Sequence, residues 1–355
     1  MDKTTYTVDV PDDRFEVLEA IRKHGKPLKL MLVGDVDSGK TTLLMFLLNS
    51  LMEEGVDVAV IDSDVGQKGI LPPATISLAF PSSEVSAIGE LEPSAHYFIG
   101  TTSPAQYVGE MAIGVKKLAD MASGQADVVM VDTTGFVTGI GAEMKRLKAE
   151  LLRPDFTLVL EHSDEMKSLK RALSPYTRIL TLSVSDKARL HSPEERRAIR
   201  AGKWRDYFSG SGVADVDLRE IVPTGTGLFH GSPLNVKEKR LLALIFDWVV
   251  LAGWYERGYT VVKADSGGFP RHFNRSVLHV VDFEKLSNLL VGFVDESGLC
   301  RGLGILKWIN FSEMRAQVLT PLIEEDLGEV VEMRFGRIRV LENGEELGLL
   351  RREEL

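Results

Sequence analysis

The chain of 355 residues predicts an α/β fold, a parallel sheet flanked by helices, joined to a smaller β-rich C-terminal domain. Short apolar runs alternate with helical patterns through about the first 250 residues, the rhythm of strand–helix–strand units. A Gly-rich turn, "GDVDSGKT", separates the first such run from an apolar helix pattern. After "LLALIFDWVVLAGW" the texture changes to alternating strands broken by Gly, Asn and Asp.

Taken in order, residues 1–25 are too short for a domain and read as an N-terminal extension. Strands are expected at 28–33, 58–62, 128–133, 156–160 and 178–182, and helices at 41–54, 104–123 and 139–152. The last of these helices ends at "RPD", where Pro154 forbids continuation. In the C-terminal part, "DESG" and "ENGEE" are hairpin turns, so a β-rich domain is placed at 257–355 and the larger domain at 26–256.

Composition narrows the function classes. With 44% hydrophobic and 26% charged residues the chain is an ordinary globular sequence, and no apolar run approaches the ~20 residues that span a bilayer. The start "MDKTTYTVDVPDDRF" lacks the pattern of a signal peptide, so a cytoplasmic location is expected. The single cysteine, Cys300, cannot form an internal disulfide and reads as a core residue. A formal charge of −10 argues against a surface coated with phosphate-binding groups, yet residues 187–205 hold seven Lys/Arg against two Glu.

"GDVDSGKT" fits G-x-x-x-x-G-K-[ST] between a strand and a helix, the setting of a P-loop NTPase. Gly34 and Gly39 let the backbone N–H groups of Asp35, Val36, Asp37 and Ser38 and the helix start point at phosphate oxygens. Lys40 adds a point charge at the β and γ phosphates, Thr41 would ligate Mg²⁺ and Thr42 would bond the α phosphate. The next apolar run ends in "DSDVGQ", where Asp62 and Asp64 leave the strand on one side. One carboxylate suffices for the metal, and a second can take a proton from an attacking hydroxyl, the division of labour a kinase needs. A GTP switch would need N-K-x-D, which is absent, although "DTTG" at Asp132 imitates D-x-x-G. Partitioning-type ATPases carry an extra Lys where Asp35 stands, and no apolar run ending in D-E appears where a motor ATPase should have it. A phosphotransferase remains.

In this order, "GDVDSGKTTL", "DSDVGQKGILPPATISL", "YFIGTTSPAQY", "VDTTGFV" and "ARLHSPEERRAIRAGKWRDYF" resemble the polynucleotide 5′-hydroxyl-kinases related to the RNA kinase subunit of the pre-mRNA cleavage machinery and to the ribosomal-RNA-processing kinases. The chain looks like a compact, archaeal-type member without the N-terminal β domain of the larger eukaryotic relatives. The resemblance implies ATP, or another NTP, as donor, a divalent metal such as Mg²⁺, and 5′-hydroxyl RNA or DNA ends as acceptor. It places metal binding on Thr41 and Asp62, the catalytic base on Asp64 and substrate contact on Gln67. Thr133-Thr134-Gly135-Phe136 matches the family's T-x-G-[WF] element, with Phe136 where members often carry Trp.

Residues 187–208 would form the lid. Ser192, Pro193 and Glu195 make a helix start with the spacing of a capping box, which puts Arg196 and Arg200 four apart on one face. The family's lid arginines close over the nucleotide and neutralise transition-state charge. An earlier basic lid position is His191 here, so its duty would pass to Arg189 or be lost. Gln106, Tyr107, Thr134, Phe136 and Trp204 are the candidates to contact the terminal nucleotide, Trp204 standing between Lys203 and Arg205. The competing readings are a nucleotide-dependent scaffold in RNA processing, an NTPase switch and a small-molecule kinase.

Overall fold

The computed structural model describes residues 10–264, 274 and 276–355, and the chain divides into two compact units, Met1–Lys203 and Trp204–Leu355. The expected boundary at 256/257 falls inside the second unit. The strand Gly212–Asp217 belongs to that unit because it completes one of its sheets by pairing with Arg315–Thr320.

In the first unit the strands are β1 (Leu28–Gly34), β2 (Val58–Ser63), β3 (Thr75–Ala79), β4 (Ala95–Phe98), β5 (Val128–Thr133), β6 (Phe156–Glu161) and β7 (Arg178–Ser183). They form one sheet in the order β4-β3-β2-β5-β1-β6-β7. From β2 to β7 neighbours are parallel, whereas β3 and β4 are antiparallel additions at one edge. The helices are α1 (Asp13–His24), α2 (Lys40–Glu53), α3 (Val108–Ala122), α4 (Ile140–Leu152) and α5 (Lys167–Leu173). A sixth, α6 (Pro193–Phe208), runs across the division between the units.

Burial on both faces explains why β1 reads as a near-continuous hydrophobic run, interrupted only by Lys29. Leu28, Leu30 and Leu32 pack with α1 and α2, while Met31 and Val33 pack with Ala149, Met166, Leu169 and Leu173 on the other side. The N-terminal extension is therefore not an appendage, because Val17, Leu18 and Ile21 of α1 are core residues. Parallel strands also deliver their C-terminal ends to one edge of the sheet, where ligands of open α/β sheets bind.

The second unit contains β8 (Gly212–Asp217), β9 (Val222–Thr224), β10 (Ser232–Pro233), α7 (Val236–Phe246), β11 (Val249–Tyr255), β12 (Tyr259–Ala264) and β13 (Leu278–Asp282), followed by the short α8 (Phe283–Leu286). It continues with β14 (Leu289–Asp295), β15 (Cys300–Asn310), β16 (Arg315–Thr320), α9 (Glu324–Leu327), β17 (Val330–Val340) and β18 (Glu346–Leu349). One sheet runs β10-β11-β12-β13; the other runs β18-β17-β14-β15-β16-β8, with β9 on β17. Both expected hairpins are present, β14–β15 across "DESG" and β17–β18 across "ENGEE". The apolar stretch 241–254 is split at Asp247, whose positive φ of 58° ends α7 before β11 begins. Among the described residues no helix is long and apolar enough to cross a membrane.

Candidate active site

The loop between β1 and α2 is shaped by close backbone approach. A Cβ on Gly34 would lie 2.4 Å from Ser38 Oγ and 3.2 Å from Leu160 O, so a larger residue would force the loop's side chains to shift. Gly39, with φ of 88°, takes the left-handed turn from which α2 starts at Lys40. Lys40 is buried, and its Nζ donates to the carbonyls of Gly34 (3.0 Å) and Asp35 (2.7 Å), curled back into the cradle it serves. Ser38 Oγ is buried without a partner, while Thr41 and Thr42 are half-buried in the first turn of α2.

Thr41 does not face Asp62. Its Oγ1 donates to Asp132 Oδ2 at 3.0 Å, at the end of β5. Asp132 is buried, and its Oδ1 has no hydrogen-bond partner among the described residues. Burial pushes this carboxyl up to about 7; Lys40 works against that rise, and Asp62 and Asp64 add to it. The sequence reading noticed Asp132 only as a look-alike of a switch motif. Its usable signal was an acidic residue closing the third apolar strand, beside the strand that feeds the cradle.

Asp62, expected as the metal ligand, is committed elsewhere. Its Oδ1 accepts from the N–H of Asp64 (3.0 Å), and its Oδ2 accepts from the N–H groups of Gly69 (2.7 Å) and Ile70 (2.8 Å). The buried Lys68 Nζ lies 3.3 Å from the same Oδ2. Asp62 thus folds the 62–70 loop, with Oδ2 taken by the Gly69 and Ile70 amides and Lys68 and Oδ1 engaged by the Asp64 amide. Asp64 is half-buried; its Oδ1 accepts from the N–H groups of Gly66 and Gln67, both at 2.9 Å, and its Oδ2 accepts no hydrogen bond among the described residues.

The lid starts as expected. Ser192 Oγ accepts from Glu195 N–H (3.1 Å) and Ser192 N–H donates to Glu195 Oε2 (2.8 Å), a reciprocal capping box. Arg196 and Arg200 are both half-buried, while the intervening Arg197 is exposed. Arg196 Nη1 reaches Asp37 Oδ2 at 3.4 Å and donates to His191 O at 2.8 Å. His191 N–H also donates to Asp37 Oδ2 at 2.9 Å, so the lid rests on the fourth residue of the cradle. Arg189 pairs instead with Glu195 at 2.8 Å.

Residues 34–210 match the family described as mRNA cleavage and polyadenylation factor CLP1 P-loop. Over 355 residues, covering 100% of both chains, the sequence is 58% identical to a polyribonucleotide 5′-hydroxyl-kinase of Thermococcus kodakarensis. The chain belongs to the polyribonucleotide 5′-hydroxyl-kinase family. A relative of that name from Methanocaldococcus jannaschii is 47% identical over 354 residues, 99% of this chain and 98% of its own. Among solved structures, that of a wild-type Clp1p–Pcf11p complex is similar with a TM-score of 0.61 and 15% identity, over 92% of this chain and 77% of that one, a likeness of fold.

The residues expected to contact the terminal nucleotide separate. Thr134 is buried and Phe136 half-buried in the turn after β5, where a Cβ on Gly135 would meet the backbone of Val36 at 2.6 Å, so this turn lies against the cradle. Gln67 is exposed beside Asp64, and Gln106 is exposed in the 3₁₀ turn Pro104–Gln106 ahead of α3, followed by the buried Tyr107. Trp204 cannot stack on a base: it is fully buried, donates from Nε1 to Glu346 Oε1 at 3.2 Å and stacks on Phe208. Three further residues escaped the sequence reading, the fully buried lysines Lys68, Lys145 and Lys148.

Proposed function

We propose that this kinase transfers the γ-phosphoryl group of ATP to the 5′-hydroxyl end of RNA, with Asp64 as the general base. The observation that carries the reading is the separation of two carboxylates. Asp132 sits on the P-loop threonine, whereas Asp64 keeps an oxygen uncommitted at the end of the neighbouring strand. Such a carboxylate can receive the proton of an attacking hydroxyl, and the full-length likeness to polyribonucleotide 5′-hydroxyl-kinases favours a polynucleotide hydroxyl over water as its source.

Thr41 Oγ1 and Asp132 fit a hard divalent cation such as Mg²⁺, because both offer oxygen and Asp132 Oδ1 is a buried acceptor with no partner. Bound there, the cation would polarise phosphate oxygens. Lys40 would exchange the Gly34 and Asp35 carbonyls for β and γ phosphate oxygens, and the N–H groups from Asp35 to Thr42 would line the phosphates. Arg196 and Arg200 would take up charge on the transferring group, Arg196 leaving Asp37 to do so. Thr134, Phe136, Gln67 and Gln106 are the candidates to hold the terminal nucleotide.

Incubation with γ-labelled ATP, Mg²⁺ and 5′-hydroxyl oligoribonucleotide or oligodeoxyribonucleotide tests the reading by where the label goes. Transfer to the RNA is expected. Label on free phosphate alone would make the protein an NTPase switch, label in neither place a scaffold, and label on the DNA only would reverse the acceptor. Asp64→Asn should retain nucleotide binding while transfer falls by about 10²–10⁴, and Lys40→Ala should lose transfer.

A further inference from the structure

The stretch 139–152 reads in sequence as a helix ending at "RPD". In the structure Lys145 and Lys148 of α4 are 0% and 1% exposed, and their spacing of three places both on one helix face. Lys145 Nζ donates to Thr134 O (2.8 Å) and Phe136 O (2.7 Å), with Thr134 Oγ1 at 3.4 Å. Lys148 Nζ donates to Ser63 Oγ (2.9 Å), and Ser63 Oγ in turn donates to Asp132 O (2.6 Å).

These contacts fall on the two loops that hold the chemistry. Lys145 gathers the Thr134–Phe136 turn, and Gly135 in that turn is the residue pressed against Val36 of the cradle. Lys148 holds Ser63 at the end of β2, from which Asp64 departs, and the Ser63 hydroxyl it fixes reaches the end of β5, which carries Asp132. Ser63 has one hydroxyl proton, already given to Asp132 O, so its lone pair is fixed for Lys148. Stability alone is a poor reason for either side chain, since a buried ammonium loses several kcal/mol of hydration that a methionine of similar volume would not lose. Burial lowers the pKa of both amines, that of Lys148 to about 7 in spite of Asp64, Asp132 and Asp62.

We infer that Lys145 and Lys148 are positioning residues for the transfer reaction: Lys145 sets the turn that engages the acceptor end, and Lys148 sets the spacing between the base and the metal-side carboxylate. This inference rests on the kinase reading above. A second handle on the same turn is Gly141, the second residue of α4, where an added Cβ would meet Phe136 O at 2.3 Å and Phe136 Cγ at 2.6 Å. Gly141→Ala therefore displaces Phe136 while leaving the Lys145 amine in place.

Steady-state kinetics on the full chain separates the two roles. Lys145→Met and Gly141→Ala should each raise KM for a 5′-hydroxyl oligoribonucleotide by about tenfold, with KM for ATP within about twofold. Lys148→Met should lower kcat by about tenfold, with both KM values within about twofold. Acceptor and ATP KM rising together in the first two variants, or an unchanged acceptor KM, would overturn the role of Lys145; an unchanged kcat in Lys148→Met would overturn that of Lys148. Should Lys145→Met fail to fold, Gly141→Ala carries the same comparison. Amide hydrogen exchange reads the clamp without turnover: faster exchange at 134–136 in Lys145→Met and at 63–65 in Lys148→Met is expected, and unchanged exchange there removes the clamp. Absence of transfer by the wild-type chain would sink the kinase reading while leaving this exchange result to judge the clamp.

Discussion

Asp62 and Asp132 are register partners at the ends of two adjacent parallel strands, the same residue type at the same level of the same sheet. Their surroundings are opposite. The chain after Asp62 folds back so that three backbone N–H groups and Lys68 fill its carboxylate, whereas the chain after Asp132 moves away and leaves one oxygen bonded to Thr41 and the other to nothing. A carboxylate engaged on both oxygens by backbone donors organises a loop; one with an orphaned oxygen beside the P-loop threonine is available to an ion. Position in a motif does not separate these two roles, but the destination of each lone pair does.

The largest effect should come from removing the available carboxylate. Asp132→Asn is expected to lower kcat by about 10²–10³ and to flatten the response of rate to Mg²⁺ concentration. Asp62→Asn should keep the wild-type Mg²⁺ midpoint in whatever activity survives. Initial rates of label transfer across a Mg²⁺ titration measure both, and a larger midpoint shift in Asp62→Asn than in Asp132→Asn would reverse the assignment.

Much of this site was legible in sequence because it is local. The cradle, its helix and the capping box at Ser192 depend on residues within a few positions of one another, so spacing alone located them. The five parallel strands announced themselves as apolar runs because both faces are covered. The two antiparallel edge strands, Thr75–Ala79 and Ala95–Phe98, are short and sit among Pro, Ser and Glu, where no period stands out. The loop role of Asp62 was missed because the D-x-D spacing reports direction along a strand and is silent about a loop returning with the amides of Gly69 and Ile70. Trp204 was misjudged by its basic neighbours in sequence, which are not its neighbours in space; those are Phe208 and Glu346. The buried lysines of α4 look the same on paper as the solvated kind.

A second, smaller effect concerns folding. Asp62→Asn replaces a charged acceptor of three backbone N–H groups by an amide, one end of which cannot accept. Hydrogen bonds to charged groups contribute about 1.5–3 kcal/mol, so a loss of that order is expected. The midpoint of thermal unfolding should fall by roughly 4–10 °C, measured by circular dichroism without ligands. An unchanged midpoint would mean that the 62–70 loop holds its shape without this carboxylate.

The smallest effect runs in the opposite direction and depends on pH. The folded Asp132 carboxyl lies at about 7, above its ordinary value of 3.8, because burial disfavours the anion, Lys40 opposes that rise, and Asp62 and Asp64 reinforce it. The folded chain therefore holds this proton longer than the unfolded chain does. The stabilisation is fully present below pH 3.8 and is lost as pH rises through about 7. Lys148, lowered to about 7 by burial, contributes the reverse trend above that pH, but it is present in both proteins when wild type is compared with Asp132→Asn. In EDTA Asp132→Asn should be the more stable at both pH 5 and pH 8.5, by a margin that widens by about 2 °C or more between the two. Addition of Mg²⁺ and ATP should then raise the wild-type midpoint more than that of Asp132→Asn, since only the wild type offers the ionised oxygen to the cation. Equal midpoints at pH 8.5 in EDTA would show that the orphaned oxygen of Asp132 carries no penalty, and its contrast with Asp62 would then rest on the kinetics alone.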